Sequence, residues 1–302
     1  MRMVVDMKSM TGQFARHART VLAVSFIAMP VLMLGADDTP ALAGSASSWQ
    51  KQHYVKTRLI IDRAEWQSRK DVLMAGIHIK MDPGWKTYWR YPGDAGLPPR
   101  FDWTSSRNLK KSQILWPAPT RYKDSAGISI GYKKEVVFPV VIEPIDPSKP
   151  IDLILKMEFA VCADICIPAE TNLQLKSGRS GMFSSSYKPI LSRFLERVPD
   201  IKSANTSGLK VRMTKARLMG AAPYLSIDAE FPAGARGADL FIEGPEGFYL
   251  APAERIAESQ NGTVNFKVDL TKGDDPKELK GKTITLTLVS NTAQAQTTWR
   301  IE

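Results

Sequence analysis

The chain has 302 residues, a formal net charge of +10, two cysteines and three histidines. Its lysines and arginines are spread along the sequence rather than gathered in blocks, which favours a solvated basic surface over nucleic-acid binding. So few cysteines and histidines also argue against a zinc site, which needs four ligands.

The N-terminal segment, residues 1–43, has the layout of a secretory signal peptide. Basic residues precede an apolar run at 21–36, and small residues up to Ala43 stand just before Gly44. This order predicts cleavage near Ala43 and export to the periplasm. An uncleaved membrane anchor is the alternative, but the run is short for a bilayer and contains Pro30. No later segment approaches the roughly 20 apolar residues of a membrane-spanning helix, so no transmembrane segment is expected in the mature chain.

Residues 44–178 are predicted to form a first domain made of β-strands. Apolar and polar residues mostly alternate here, and turn residues separate the runs, which is typical of antiparallel strands. In the run from Ile151 to Val161 every second residue is apolar, so a half-buried strand is expected to lead directly to Cys162. The clearest strands are predicted at residues 54–61, 72–79, 114–116, 136–142 and 151–161.

Residues 179–207 are predicted to be a linker with a short amphipathic helix that bridges two domains. Five apolar residues between Ile190 and Val198 recur at helical spacing, and polar stretches flank them. Exposed polar backbone is where proteases cut first, so both flanking stretches are expected to be cleaved before the domains.

Residues 208–302 are predicted to form a second small β-sandwich, because alternating runs resume there. This region contains no cysteine, no histidine and no dense cluster of catalytic residue types, so its sequence assigns it no function. The predicted fold class is therefore all-β, with two sandwiches joined by a short helix.

The two cysteines, Cys162 and Cys166, are separated by three residues. In an exported protein such a pair can form a disulfide. In a straight strand the two Cα atoms would lie about 13 Å apart, whereas a disulfide needs about 4.4 to 6.8 Å. If they bond, the chain must turn between them, and Pro168 just after the pair agrees with a strand-to-strand corner.

Three interpretations of this pair are open from the residues alone. A purely structural disulfide would close a five-residue ring and stabilise the fold by only roughly 2 kcal/mol, so a redox-active disulfide is favoured. Thiolates also suit Cu(I), and the chain has 12 methionines, so a Cu(I)-binding or adaptor module is the alternative. No cofactor is expected beyond the disulfide itself.

The residues around the cysteines bear on their reactivity. Asp164 stands between them, and no lysine, arginine or histidine is adjacent in sequence. Neither thiol is therefore predicted to be a strong nucleophile, and the pair is better suited to being attacked, as a disulfide, by a partner's thiolate.

The segment CADICIPAE at residues 162–170 resembles the active-site strand of the N-terminal periplasmic domain of the DsbD family of thiol:disulfide interchange proteins. That family has relatives linked to copper tolerance and members in cytochrome c biogenesis. The segments at 84–90, 92–98 and 131–140 resemble the same domain, so the resemblance covers most of residues 49–178. It implies an immunoglobulin-like fold and a thiol-disulfide oxidoreductase whose redox pair is Cys162 and Cys166.

The resemblance also implies partners on both sides of the reaction. Electrons would come from a membrane-embedded thiol-disulfide reductase, expected here to be a separate protein, and would pass to periplasmic thioredoxin-like proteins. The three-residue spacing of the cysteines is shorter than in the best-known member of the family. The direction of electron transfer, reduction or oxidation of the partner, therefore stays open.

The loop from Asp124 to Gly131 corresponds, by the same resemblance, to a cap that shields the redox pair. Gly127 and Gly131 flank the apolar side chains of Ile128 and Ile130, which predicts a hinged lid over the cysteines. The alternative is that both isoleucines pack into the edge of the sandwich. Asp124 is interpreted as a turn residue rather than a proton shuttle.

Four aromatic residues, Trp85, Tyr88, Trp89 and Tyr91, stand close together near a Pro-Gly turn. Packing in the core or at an edge is favoured for them over docking of a partner.

Overall fold

A computed structural model of the chain describes residues 45–62, 72–94, 96–124, 127–177, 185–199, 208–259 and 262–302. The predicted signal peptide and most of the polar stretches that flank the helix lie outside the described residues, so those predictions stay predictions. No helix in the described part of the chain is long and apolar enough to cross a membrane.

The described residues are mainly β-strands. The helix α1 spans Lys188–Leu195 and follows a single 3-10 turn at Ser185–Tyr187. The strands are β1 (Gln50–Gln52), β2 (Val55–Asp62), β3 (Leu73–Met81), β4 (Lys86–Gly93), β5 (Arg100–Asp102), β6 (Leu109–Ile114), β7 (Thr120–Asp124), β8 (Gly127–Lys133), β9 (Glu135–Pro144), β10 (Ile151–Cys162), β11 (Cys166–Ser177), β12 (Lys210–Arg217), β13 (Tyr224–Glu230), β14 (Asp239–Glu243), β15 (Glu254–Glu258), β16 (Thr263–Asp269), β17 (Thr283–Val289) and β18 (Gln294–Arg300).

Two sheets form the first sandwich. One has five strands in the order β1-β2-β3-β9-β6, and the other has the order β11-β10-β4-β8-β7 with β5 paired to β10. Strand β10 explains why this region folds as a sandwich: alternate residues from Ile151 to Val161 are buried in the shared core, while Lys156 and Glu158 are exposed on the opposite face. The strand predicted at 114–116 is wrong, because β6 ends at Ile114 and two prolines soon follow.

Helix α1 covers the outer face of the first sandwich, over β3 and β9. Leu191 and Phe194 are buried and belong to the core cluster of the first sandwich. A Cβ atom at Gly76 would lie 2.7 Å from Cδ2 of Leu191, so a larger residue would push the helix away. The helix is thus part of the first sandwich rather than a free bridge, because its apolar face needs a sheet to cover. The domain boundaries themselves stay a prediction.

The second sandwich has its own core. A four-stranded sheet in the order β12-β13-β16-β15 faces a three-stranded sheet in the order β14-β17-β18. Its buried residues, among them Ile227, Phe266 and Leu286, form a cluster distinct from that of the first sandwich. The predicted all-β fold, an immunoglobulin-like sandwich followed by a second small β-sandwich, is confirmed.

The two sandwiches meet along β4 and β7 of the first and β14 of the second. Phe241 of β14 is buried in the core cluster of the first sandwich, where its ring contacts the edge of Trp89 at 5.8 Å between centroids. Two half-buried ion pairs, each with hydrogen bonds from two nitrogens of the guanidinium, flank this contact. The ion pairs are Arg90 with Glu243 and Arg121 with Asp239.

Candidate redox site

The two cysteines close the hairpin formed by β10 and β11. Cys162 and Cys166 are cross-strand partners and are joined by a disulfide, with their Cα atoms 4.1 Å apart. The chain turns through the three residues between them, where the amide of Ala163 donates a hydrogen bond to the carbonyl of Ile165 over 3.1 Å. The predicted turn at the pair is confirmed.

The two cysteines differ in exposure. Cys162 is 1% exposed, because β10 lies inside the sheet between β11 and β4. It belongs to a small cluster with Tyr88 and Ala160, separate from the main core. Cys166 is exposed at the start of the outer strand β11, and its neighbour Ile165 is 66% exposed at the tip of the hairpin. An incoming thiolate therefore meets Cys166 first.

Tyr88 is the residue that contacts both sulfur atoms. Its hydroxyl donates a hydrogen bond to Sγ of Cys162 over 2.8 Å and lies 3.3 Å from Sγ of Cys166. The side chain is 2% exposed, so this contact is shielded from water. A donor at this position favours negative charge on the Cys162 sulfur when the disulfide opens.

Lys86 lies opposite Cys162 on the neighbouring strand β4 and is 6% exposed. Side chains of directly opposed residues share one face of a sheet, with Cβ atoms about 4.5 to 5.5 Å apart. No basic residue is adjacent to the cysteines in sequence, but the fold places Lys86, 76 positions before Cys162, on the strand next to it. A cation on this face favours the thiolate form of a cysteine.

Lys86 and Tyr88 were not predicted to lie at the disulfide, although the sequence carries one signal for them. The segment GWKTYWR alternates, so these two residues share one face of their strand, whereas Thr87 and Trp89 share the other. The pairing of β4 with β10, which brings the first face to the disulfide, has no signature in the local sequence. It is fixed by Thr87, whose hydroxyl donates to the carbonyl of Ala160 over 2.9 Å, and by the strand register.

The predicted cap loop, from Asp124 to Gly131, is instead a β-hairpin. Asp124 and Gly127 are opposed at the end of β7 and β8, and Gly131 is opposed to Tyr88 of β4. The Gly-Ile-Ser-Ile alternation, which the loop interpretation overlooked, is a strand pattern. Gly131 has no room for a Cβ atom, which would lie 2.0 Å from the carbonyl oxygen of Thr87.

The isoleucines of this hairpin pack against the main core. Ile130 is 1% exposed in the cluster that contains Trp89, and Ile128 packs against the same cluster from a partly buried position. Both isoleucines therefore pack into the sandwich, as the alternative prediction had it. They lie at alternate positions of β8, so both face the core rather than the outer face. The described contacts with the sulfurs come from Tyr88. Movement of the hairpin over the cysteines stays a prediction.

The other aromatic residues of the cluster pack as favoured. Trp89 is fully buried, Trp85 stacks on Tyr54 at 4.0 Å between ring centroids, and the hydroxyl of Tyr91 donates to the carbonyl of Leu250 over 3.2 Å. Across the described ranges, no group of three or more His, Cys, Asp or Glu side chains is placed to hold a metal ion.

The comparisons with known proteins divide the chain in two. Residues 58–178 match the family model described as the N-terminal domain of the thiol:disulfide interchange protein DsbD. Residues 197–302 match a family described as a domain of unknown function, DUF8393. No curated protein matches the sequence.

Among solved structures, the chain is similar to the crystal structure of the N-terminal periplasmic domain of ScsB from Proteus mirabilis. The TM-score is 0.65 with 18% sequence identity, and the match covers 85% of this chain and 98% of that one. A match of this extent takes in both sandwiches. At this identity the likeness shows the fold alone.

Proposed function

We propose that the chain is a periplasmic thiol-disulfide exchange protein that relays electrons through Cys162 and Cys166, a role supported by the match of residues 58–178 to the N-terminal domain of DsbD. The observation that carries this proposal is the unequal setting of the two cysteines. Cys166 is exposed at the tip of the hairpin, whereas Cys162 is buried against a hydroxyl donor. This is the arrangement that a directed exchange reaction needs.

Reduction of the pair begins at Cys166. A thiolate of the donor protein attacks Sγ of Cys166, a new S–S bond forms between the two proteins, and the Cys162–Cys166 bond breaks. The electron pair of the broken bond goes to Sγ of Cys162, where the Tyr88 hydroxyl stabilises the charge. The second thiolate of the donor then attacks the donor sulfur that is bonded to Cys166. This forms the disulfide of the donor and releases Cys166 as a thiolate. The donor leaves oxidised by two electrons and the pair is reduced by two.

Delivery of the electrons follows the same path in reverse. The Cys166 thiolate attacks the disulfide of an acceptor and forms a mixed disulfide, and one acceptor sulfur leaves as a thiolate. Cys162 then attacks Sγ of Cys166, which restores the intramolecular disulfide and frees the second acceptor thiolate. Cys162 is therefore the resolving cysteine, and its buried position keeps it away from other oxidants.

The partners follow from the family. The donor is proposed to be a membrane-embedded thiol-disulfide reductase, and the acceptors are proposed to be periplasmic thioredoxin-like proteins. The disulfide is the only redox group that this reaction requires, so no further cofactor takes part.

Trapping of the mixed disulfide tests the proposal. The Cys162→Ala variant keeps the exposed Cys166 and lacks the resolving thiol, so we expect it to accumulate a covalent complex with a thioredoxin-like protein of the cell envelope. The Cys166→Ala variant keeps only the buried cysteine and should give at least about tenfold less complex. Non-reducing electrophoresis and mass spectrometry of the captured protein measure both, with the double alanine variant as the control.

Three outcomes would count against the proposal. Free monomer from both single-cysteine variants would contradict a relay, and equal trapping by both would contradict the assigned roles of the two cysteines. Stoichiometric binding of Cu(I) by the reduced protein, without a trapped partner, would favour a metal-binding module instead.

A further inference from the structure

Tyr88 is followed in β4 by three residues that the second sandwich holds. Their contacts are an aromatic ring, a paired carboxylate and a backbone carbonyl, so they restrain the strand by three different interactions. The contacts are Trp89 with Phe241, Arg90 with Glu243 and Tyr91 with Leu250.

Asp94, just beyond β4, joins the second sandwich to the hairpin of β7 and β8. One carboxylate oxygen, Oδ1, accepts a hydrogen bond from the hydroxyl of Tyr249 over 2.9 Å. The other, Oδ2, accepts from the amide of Ile128 over 2.7 Å, and the amide of Asp94 donates to the carbonyl of Ile128 over 2.9 Å. The carboxylate is thus held by both elements at once.

Two residues further on, the backbone of Gly96 lies on the ring of Tyr88. A Cβ atom at Gly96 would be 2.3 Å from Cε1 of that ring, and Gly96 has a φ of +145°. Only glycine fits this approach, because a side chain would collide with the phenol. The position of Asp94 therefore helps to set the position of the Tyr88 phenol, whose hydroxyl contacts the two sulfurs.

Tyr249 is itself well fixed. Its amide donates to Oδ2 of Asp274 over 2.7 Å, and its flanking residues bind the hydroxyl of Tyr91. Partial burial, followed by the hydrogen bond with Asp94, raises the pKa of Tyr249, so the phenol stays a hydrogen-bond donor.

We propose that the second sandwich is a positioning element for the redox site, and that Tyr249 acts through Asp94 and Gly96 to hold the Tyr88 hydroxyl against the disulfide. This inference rests on the proposed exchange function, since the position of Tyr88 matters only if the disulfide opens. It gives the second sandwich, whose sequence carries no reactive group of its own, a part in the reaction. Tyr88 touches the reacting sulfurs, whereas Tyr249 is a positioning residue.

The rate at which dithiothreitol reduces the oxidised full-length chain tests this inference. Loss of the Tyr88 hydroxyl in Tyr88→Phe removes a donor to the leaving thiolate, and we expect reduction to slow about tenfold. Tyr249→Phe should slow it about threefold, because the bond to the exposed Asp94 is partly replaced by water. The matched control is Tyr224→Phe, which removes a hydroxyl on β13 of the same sandwich and should leave the rate unchanged.

Coupling separates positioning from a general loosening of the fold. If Tyr249 acts through Tyr88, the double variant Tyr88→Phe/Tyr249→Phe should react at the rate of Tyr88→Phe alone, and the unfolding midpoint of Tyr249→Phe in denaturant should match that of the Tyr224→Phe control. If Tyr249→Phe slowed reduction by the same factor in the wild type and in Tyr88→Phe, the inference would be overturned. An unchanged rate in the single variant would also overturn it.

Failure of this inference can be told apart from failure of the proposed function. Normal reduction by dithiothreitol without any effect of Tyr249→Phe overturns the positioning role alone. A disulfide that dithiothreitol cannot reduce in the folded protein would overturn the exchange function itself, whatever the second sandwich does.

Discussion

The two sandwiches are built alike, but only the first contains the disulfide. Both close an apolar core between two sheets. In the first sandwich the reactive groups lie on the outer face: Val161 enters the main core, whereas Cys162 and Ala160 lie in the separate cluster with Tyr88. The alternation of a strand thus lets one segment serve the core with one face and the chemistry with the other.

The second sandwich lacks cysteine and histidine altogether, and it contacts the first through β4, the segment after β4, and β7. Fold and chemistry are therefore separable in this chain. Changes at the disulfide should leave both cores intact, while changes at the contact between the sandwiches should alter both stability and reactivity.

The largest effect is expected from Phe241→Ala, which removes the ring that the second sandwich inserts into the first. A buried phenylalanine replaced by alanine costs about 3 to 5 kcal/mol, and here the loss falls on the contact between the sandwiches. We expect denaturant unfolding followed by tryptophan fluorescence and circular dichroism to separate into two transitions, and reduction of the disulfide by dithiothreitol to slow.

Phe266→Ala is the matched control for this variant. Phe266 is as deeply buried as Phe241 but lies in the core of the second sandwich. It should lower the stability of that sandwich by a similar amount without slowing reduction as Phe241→Ala does. Equal effects of both variants on the rate would contradict a special role for the contact.

The next effect is a loss of stability in the first sandwich between pH 6.5 and about 4, where His78 takes up a proton; the second sandwich contains no histidine. Burial lowers the pKa of His78 to about 4, although its hydrogen bond with Glu135 opposes the shift. The unfolded chain takes up this proton near pH 6.5, so stability is complete above that value and falls as the pH drops to about 4. The loss is roughly 3 kcal/mol.

Unfolding free energies measured between pH 7 and pH 4 check this dependence. His78→Gln should remove most of it, whereas the exposed control His53→Asn should not. A second loss at lower pH involves Glu135: burial raises its pKa, but hydrogen bonds from His78, Lys80 and Arg193 outweigh burial and lower it to about 2. A stability profile of His78→Gln as steep as that of the wild type from pH 6.5 to 5 would contradict the assignment to His78.

The sequence sufficed for the features that depend on local pattern. Alternation located β10 and most other predicted strands to within a few residues, and the spacing of the cysteines required the turn between Cys162 and Cys166. The same pattern, correctly applied, would also have placed Gly127 to Gly131 in a strand, because Ile128 and Ile130 alternate with small residues.

The sequence did not suffice for features that depend on which strands meet. Lys86 and Tyr88 reach the disulfide only because β4 pairs with β10, and Tyr249 reaches Asp94 only because the second sandwich docks on the first. Such contacts join residues 74 to 155 positions apart, and no local propensity encodes them. The packing of helix α1 was not predictable for the same reason, since its apolar face shows that it needs a partner but not which sheet provides it.

A smaller effect is expected when the disulfide is reduced. The five-residue ring contributes roughly 2 kcal/mol by chain entropy, far less than the two cores. The reduced protein, or the Cys162→Ala/Cys166→Ala variant, should therefore stay folded, with a single modest shift in the unfolding of the first sandwich. Loss of cooperative unfolding on reduction would show that the bond is structural and would remove the separation of fold from chemistry.

The smallest effect is expected at Lys86, whose buried position opposite Cys162 puts a cation on the face of the sheet that carries the disulfide. A nearby positive charge favours a thiolate, so Lys86→Met should raise the pH at which the Cys162 thiol reacts at half its maximal rate by about half a unit to one unit. The measurement is the rate of alkylation by iodoacetamide as a function of pH. A Cys166→Ala background avoids coupled titration of two thiols.

Two control variants test whether the charge is the cause. Lys86→Arg keeps the charge and should restore the original profile. Lys133→Met removes an exposed charge one strand further away and should leave it unchanged, because solvent screens that charge. An identical profile in Lys86→Met would show that burial and Tyr88 alone set the reactivity of Cys162.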